Sequence, residues 1–147
     1  MIGIFKSELV FLRDMEKRPR VVIALIIKNE NKILLGKRKR FPCSWGFPGG
    51  KLDFGEDIIP GILREMKEEI GDVEVSNIKF LTVTNDILHE IDEHYVSVIL
   101  TADYKSGEII LKEPEKCEGW QWFSWNELPE SLSSPLENLR NDNISPF

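Results

Sequence analysis

The sequence predicts a single α+β domain, on three observations. Val21–Ile27 is an unbroken apolar run rich in β-branched residues, the pattern of a strand buried on both faces. Residues 57–70 repeat apolar side chains every four positions, the period of an amphipathic helix. The 147 residues carry no internal repeat, low-complexity tract or linker, and this length suffices for one well-buried core.

The elements follow in order. Residues 1–18 read as an arm or as a helix, with Phe5, Leu9, Leu12 and Met15 at helical spacing. Arg20–Lys28 is the first strand, Asn29-Glu30-Asn31 a turn, and Lys32–Lys37 the returning arm of a hairpin. Arg38–Gly55 is dense in proline and glycine, which marks a structured loop with short strands at Trp45–Phe47 and Lys51–Leu52. Asp57–Ile70 is the helix, with Ile58, Ile62, Met66 and Ile70 as its stripe and Ile59 and Leu63 broadening it. Pro60 suits a first turn and Gly71 a stop. Gly61 inside the helix costs roughly 0.5–1 kcal/mol relative to alanine unless close packing requires it. Strands are expected over Ile78–Thr84, His94–Tyr104, Gly107–Leu111 and Gly119–Phe123. A turn or short helix at Asn126–Leu128 and a terminal helix at Leu132–Leu139 complete the chain.

Composition narrows the function. At 41% hydrophobic and 30% charged, the chain has the make-up of a soluble globular protein. Its longest apolar run is far short of the roughly 20 residues that cross a bilayer. Lys6, Glu8, Arg13 and Asp14 interrupt any signal-peptide core. Cys43 and Cys117 form no C-x-x-C pair, which fits a reducing cytoplasm. The net charge of −6 disfavours duplex nucleic acid as a partner. That charge is unevenly placed. Lys28–Lys51 holds seven basic residues against one acid, and Asp53–Glu74 holds eight acids against two basic residues. Such runs are commonly solvated faces, but adjacent blocks of opposite sign also suit a site that handles anions and cations together.

The chemistry concentrates in Arg64-Glu65-Met66-Lys67-Glu68-Glu69. On a helix, Glu65, Glu68 and Glu69 stand at i, i+3 and i+4 and share one face. Three crowded carboxylates repel one another unless a cation sits among them, and carboxylate oxygens are the ligands that Mg²⁺ or Mn²⁺ prefers. Arg64 has the fork geometry to orient them. Taken alone, the hexapeptide reads more readily as a solvated acidic face than as a metal site.

Its surroundings decide otherwise. From Gly50 the chain reads GKLDFGEDIIPGILREMKEEIGD: five residues separate Gly50 from Glu56, and seven more precede Arg64-Glu65. This resembles the Nudix box of the MutT-type Nudix hydrolases, with every polar and glycine position present. Asp72 departs from the aliphatic residue usual there. The resemblance implies a mixed sheet sandwiched between helices, with the box as a loop–helix–loop over one sheet end. It implies divalent-cation binding by Glu65, Glu68, Glu69 and the backbone carbonyl of Gly49, with Glu65, Glu68 and Arg64 as the catalytic set. Glu56 supports the site from the loop. The reaction implied is attack of water on phosphorus in a nucleoside diphosphate linked to a further group.

The likeness extends to LLGKRKR at 34–40, W-G-F-P-G-G at 45–50, HYVSVIL at 94–100 and the segment 113–129. These are similar to the group of the family that cleaves nucleoside triphosphates to a monophosphate and pyrophosphate. The similarity places Arg38, Phe47, Gly50 and Ser97 at the substrate and Leu139 at the rim of the base pocket. Gly46 stands where that group has glutamine, so base preference does not carry over. ADP-ribose-cleaving members usually have a proline soon after the box, and Gly71–Glu113 contains none. The alternatives are a nucleoside diphosphate sugar hydrolase and a silent nucleotide-sensing module. Relatives are commonly homodimers. Glu113, Glu115 and Glu118 are candidates for one further ligand or base. Trp120 and Trp122 are core or pocket residues, Trp125 is structural, and His89 and His94 belong to the surface or a strand.

Overall fold

The structure, a computed structural model, describes residues 17–147. The arm or helix expected over residues 1–18 falls, but for its last two residues, outside that range. Strand β1 (Arg20–Asn29) turns through Glu30 and Asn31 into β2 (Lys32–Arg38). The short strands β3 (Trp45–Gly46) and β4 (Gly49–Lys51) lie in the glycine-rich loop. Helix α1 spans Ile58–Ile70. Strands β5 (Glu74–Leu88), β6 (Glu93–Ser106) and β7 (Cys117–Ser124) follow, with a 3-10 turn at His89–Ile91 between the first two. Helix α2 is Ser134–Asn141.

The sheet is mixed. β1 runs parallel to β6 along its whole length, and β6 pairs antiparallel with β5. β2 leaves β1 just beyond the hairpin turn and pairs with β7 and β3 instead. That departure frees the N-terminal half of β1 for β4, which pairs there through Val22–Lys51, Ile23–Gly50 and Ala24–Gly49.

The apolar run of β1 is continuous because each face meets a different helix. Ile23, Leu25 and Ile27 pack with Leu34, Leu100 and the α1 residues Ile62, Met66 and Ile70. Ala24 and Ile26 face the other way, onto Ile33, Leu35, Ile99 and the α2 residues Leu136 and Leu139. Each such side chain contributes about 1.5–3 kcal/mol on burial. The sheet between two helices matches the expected fold.

Three expectations change. The α1 stripe is narrower than its periodicity, since Ile58, Ile59 and Leu63 remain 37%, 47% and 42% exposed. They flank the face that meets β1 and β4, and no element among the described residues covers them. Gly107–Leu111 is not a strand: it crosses the end of α1, where Ile110 and Lys112 amides bond to the carbonyls of Ile70 and Glu69. Those bonds satisfy helix-end acceptors and tie the segment to α1 in place of a strand. The strand expected over Ile78–Thr84 begins at Glu74 and ends at Leu88, longer at both ends than its apolar centre.

Candidate active site

The helix of the acidic motif starts at Asp57, whose extended backbone precedes the first turn, and stops at Gly71 with φ 89°. A left-handed φ of this kind favours glycine and ends the helix. Arg64 projects from the middle of α1 and ties the motif together. Its Nε and Nη2 donate to the two oxygens of Glu56 at 2.7 and 2.9 Å, and its Nη1 donates to Glu65 at 2.9 Å. Weaker contacts reach Glu68 and the carbonyl of Lys51, each at 3.4 Å. Glu56 also accepts the backbone N–H of Asp53 at 3.0 Å, so the loop before the helix is held to it. Arg64 holds the Glu56 carboxyl down at about 2, with help from the Asp53 amide.

Glu65, Glu68 and Glu69 differ in surroundings although they share a face. Glu68 is half exposed. Glu65 is packed against Gly50 so closely that a Cβ there would fall 2.5 Å from its carboxyl. Glu69 accepts the N–H of Gly49 at 2.9 Å, and Gly49 itself has φ 154°, with room for no side chain against Ile23. Burial pushes the Glu69 carboxyl up to about 7, against the opposing pull of the Gly49 amide and Arg38. Burial also raises Glu65, and Arg64 opposes it. Gly50 is thus required by the Glu65 carboxylate it faces and Gly49 by its φ and the Ile23 backbone behind it, which explains the glycine pair ahead of the helix.

This donor set fits a hard divalent cation in kind. It consists of carboxylate oxygens, two of them desolvated and raised, which is the state a nearby positive charge relieves. Among the described residues, no three Asp, Glu, His or Cys side chains stand gathered as a finished ligand set. Arg64 Nη1 holds one oxygen of Glu65.

Beside this cluster lies a cavity of about 260 Å³. Arg38, Phe47, Gly49, Gly50 and Ser97 all line it, so the structure brings together these substrate and metal candidates from four separate elements. Leu139 does not join them. It is fully buried on the inner face of α2, within the core under Phe47, because it lies three residues from Leu136 on the helix stripe. Its expected place at the pocket rim is corrected to a core position.

A second cavity adjoins Glu69 and is lined by Arg38, Lys39, Arg40, Glu113, Glu115, Cys117 and Trp120. Of the three later acids, Glu113 and Glu115 therefore stand near the cluster, while Glu118 pairs with Lys37 at 3.5 Å. Trp120 and Trp122 both pack on the α1 side, Trp122 edge-to-face with Tyr104, and Trp120 also walls the second cavity. Trp125 packs in the α2-side core, as its structural reading expects. Burial raises the Cys117 thiol, which argues against a nucleophilic role.

Sequence reasoning missed Asp86. This acid is 1% exposed, lines the first cavity, and is bonded by Thr84, Ser97, Ser134 and Asn138. It lies two residues past the end of the strand expected over Ile78–Thr84, and only the extension of β5 to Leu88 turns it inward.

Among the described residues, no helix is long and apolar enough to cross a membrane. The NUDIX domain family matches residues 17–144. An ADP-ribose pyrophosphatase of Methanocaldococcus jannaschii is 31% identical over 134 residues, covering 86% of this chain and 77% of that protein. The NAD-capped RNA hydrolase NudC of Pseudomonas aeruginosa is 32% identical over 106 residues, and the match covers 71% of this chain and 36% of NudC. The crystal structure of a MutT NUDIX hydrolase from Burkholderia pseudomallei superposes with a TM-score of 0.77 at 35% identity, covering 82% of this chain and 95% of that one. With Arg64, Glu65, Glu68 and Glu69 on the helix that packs against β4, and with these likenesses, the chain belongs to the Nudix family, as a MutT-type Nudix hydrolase.

Proposed function

We propose that this enzyme hydrolyses nucleoside triphosphates to a nucleoside monophosphate and pyrophosphate, using Mg²⁺ or Mn²⁺ held by Glu65, Glu68, Glu69 and the Gly49 carbonyl. As a Nudix hydrolase it acts on nucleotide pyrophosphate bonds, and the choice of triphosphate is the finer step. The observation that carries it is the shared wall of the first cavity. Gly49 and Gly50, which face Glu69 and Glu65, line the same space as Arg38, Phe47 and Ser97. A nucleotide seated there has its base against Phe47 and Ser97 and its phosphates toward the carboxylates.

The bound cation would neutralise phosphate charge, polarise the phosphoryl group and acidify water. The chain supplies the geometry. Arg64 fixes Glu65 through Nη1 while Glu56 fixes Arg64, so the carboxylates are oriented before substrate arrives. One of the two carboxylates Glu65 and Glu68 takes up the single proton released as the water oxygen bonds to phosphorus and the bond to pyrophosphate breaks. Arg38, between the two cavities, is placed to bind phosphate as a bidentate donor.

The identity to the Methanocaldococcus protein favours a second reading, cleavage of ADP-ribose to AMP and ribose 5-phosphate. A panel of natural and oxidised nucleoside triphosphates, nucleotide sugars and ADP-ribose, with Mg²⁺ or Mn²⁺ and chromatography of products, separates the readings. Monophosphate plus pyrophosphate is the expected outcome. Triphosphates left intact beside cleaved ADP-ribose or nucleotide sugar would overturn the first reading.

A further inference from the structure

Asp86 is a buried acid with no cationic partner among the described residues, and the hydrolytic scheme makes no use of it. It sits on β5, one of two polar residues from the β5–β6 pair that reach the first cavity fully buried, the other being Ser97. All four of its side-chain partners are neutral. Oδ2 accepts from Thr84 Oγ1 at 3.0 Å and from Ser97 Oγ at 2.5 Å. Oδ1 accepts from Ser134 Oγ at 3.1 Å and from Asn138 Nδ2 at 2.8 Å. These partners come from β5, β6 and α2, so one carboxylate fastens three elements around the cavity.

The consequence follows from counting hydrogens. A carboxylate only accepts, and a hydroxyl owns one hydrogen and two lone pairs. Ser97 and Ser134 each spend their hydrogen on Asp86, and both line the cavity. What they turn toward a ligand is lone pairs. The cationic donors that line this cavity lie outside the β5–β6–α2 wall: Arg38 is in β2, Arg40 in the loop after it and Lys51 in β4.

We infer that Asp86 sets the base preference of this site: it makes the buried wall at Ser97 and Ser134 acceptor-only, so that the wall takes a base presenting two adjacent N–H donors. This inference rests on reading the cavity as a nucleotide site. Among the common bases only guanine has such an edge, with N1–H beside its 2-amino group. Adenine and cytosine place a ring acceptor next to one amino group, and uracil flanks one N–H with two carbonyls. An acceptor-only wall leaves lone pair against lone pair for adenine, and a buried polar atom without a partner costs affinity. Asp86 is a positioning residue here, acting through the two serines.

The test is calorimetric binding of GMP, IMP and AMP to the intact chain, which needs no turnover, beside hydrolysis of the matching triphosphates. GMP is expected to bind tightest. IMP, lacking the 2-amino donor, should bind about tenfold weaker. AMP should bind more weakly still. Asp86→Asn retains the shape but introduces an amide that donates, so Ser97 or Ser134, according to which oxygen the amide replaces, must accept from it and release its hydrogen toward the cavity. The variant should narrow or invert the GMP-to-AMP ratio, which a loss of packing alone does not do. If Asp86→Asn fails to fold, Ser97→Ala removes one acceptor and should narrow the GMP-to-IMP ratio. Equal binding of the three monophosphates with triphosphates still cleaved overturns the inference and leaves the proposed function standing. A ratio unchanged in the variants also overturns it. No binding and no cleavage of any nucleotide overturns both.

Discussion

Arg64 grips Glu56 through two parallel hydrogen bonds, Nε to Oε1 at 2.7 Å and Nη2 to Oε2 at 2.9 Å, while its third nitrogen reaches Glu65. Lysine has no fork and cannot hold both carboxylates at once. Arg64→Lys should lower turnover by about 10–100-fold, the usual cost of losing a group that orients a ligand. Steady-state kinetics at saturating Mg²⁺ checks this, and unchanged kcat would remove Arg64 from the orienting role.

The same pair predicts a pH dependence. Glu56 is held at about 2 in the folded chain against an ordinary 4.5. A depressed carboxyl stabilises the fold above the unfolded value and loses that contribution as pH falls through the folded one. The melting-temperature gap between the wild type and Glu56→Gln should therefore be full above pH 4.5 and close toward pH 2. A gap that stays constant across this range contradicts the ion pair as its source.

Local features of this site were legible in the sequence, and non-local ones were not. The spacing from Gly50 to Gly71 is a property of one loop and one helix, so the gathering of Glu56, Glu65 and Glu68 around Arg64 could be read from the order of residues. Gly61, anomalous by propensity, is explained only by packing: a Cβ there would lie 2.9 Å from Glu56 Oε2 and from Ile23 Cδ1. Asp86 and Ser134 stand 48 positions apart and meet through sheet pairing and helix docking, which no periodicity encodes. Leu139 failed for the opposite reason. Its apolar side chain suits a pocket rim and a core equally, and only its register with Leu136 on α2 decides.

Glu69 carries the reverse linkage to Glu56. Burial lifts it to about 7 from 4.5, so the unfolded chain loses this proton first. Stability without metal should fall between pH 4.5 and 7 and then level off, by up to about 3 kcal/mol for a shift of this size. Glu69→Gln removes the penalty. In EDTA the variant should melt higher than the wild type at pH 8 and equally at pH 4, while its turnover with Mg²⁺ is lost. Denaturation at the two pH values, with and without metal, checks the sign. A variant less stable than the wild type at pH 8 in EDTA would contradict it.

Gly50 and Gly61 separate activity from helix propensity. A Cβ on Gly50 would stand 2.5 Å from the Glu65 carboxyl carbon, so Gly50→Ala must displace that carboxylate. A shift of about an ångström at such a group costs roughly 10²-fold in rate. Gly61→Ala should gain about 0.5–1 kcal/mol by propensity alone. The contacts with Glu56 and Ile23 reverse that expectation, and the variant should melt lower and turn over more slowly. Melting and kcat measured together decide it, since a stabilised Gly61→Ala chain would show that the helix is not pressed against the loop.

Leu139 tests whether the base pocket ends where the structure ends it. The side chain is 0% exposed and packs with Leu136, Ile99 and Phe47 in the α2-side core. Leu139→Ala removes three buried carbons and leaves a cavity, for which about 2–5 kcal/mol of stability is the usual loss. The change lies behind Phe47, which lines the substrate cavity, so KM should rise equally for every base as that wall loosens. A rim residue would behave differently, altering the ratio of kcat/KM between purine and pyrimidine triphosphates with little effect on melting. A large fall in melting temperature with that ratio preserved places Leu139 in the core, whereas an altered ratio with melting preserved returns it to the pocket.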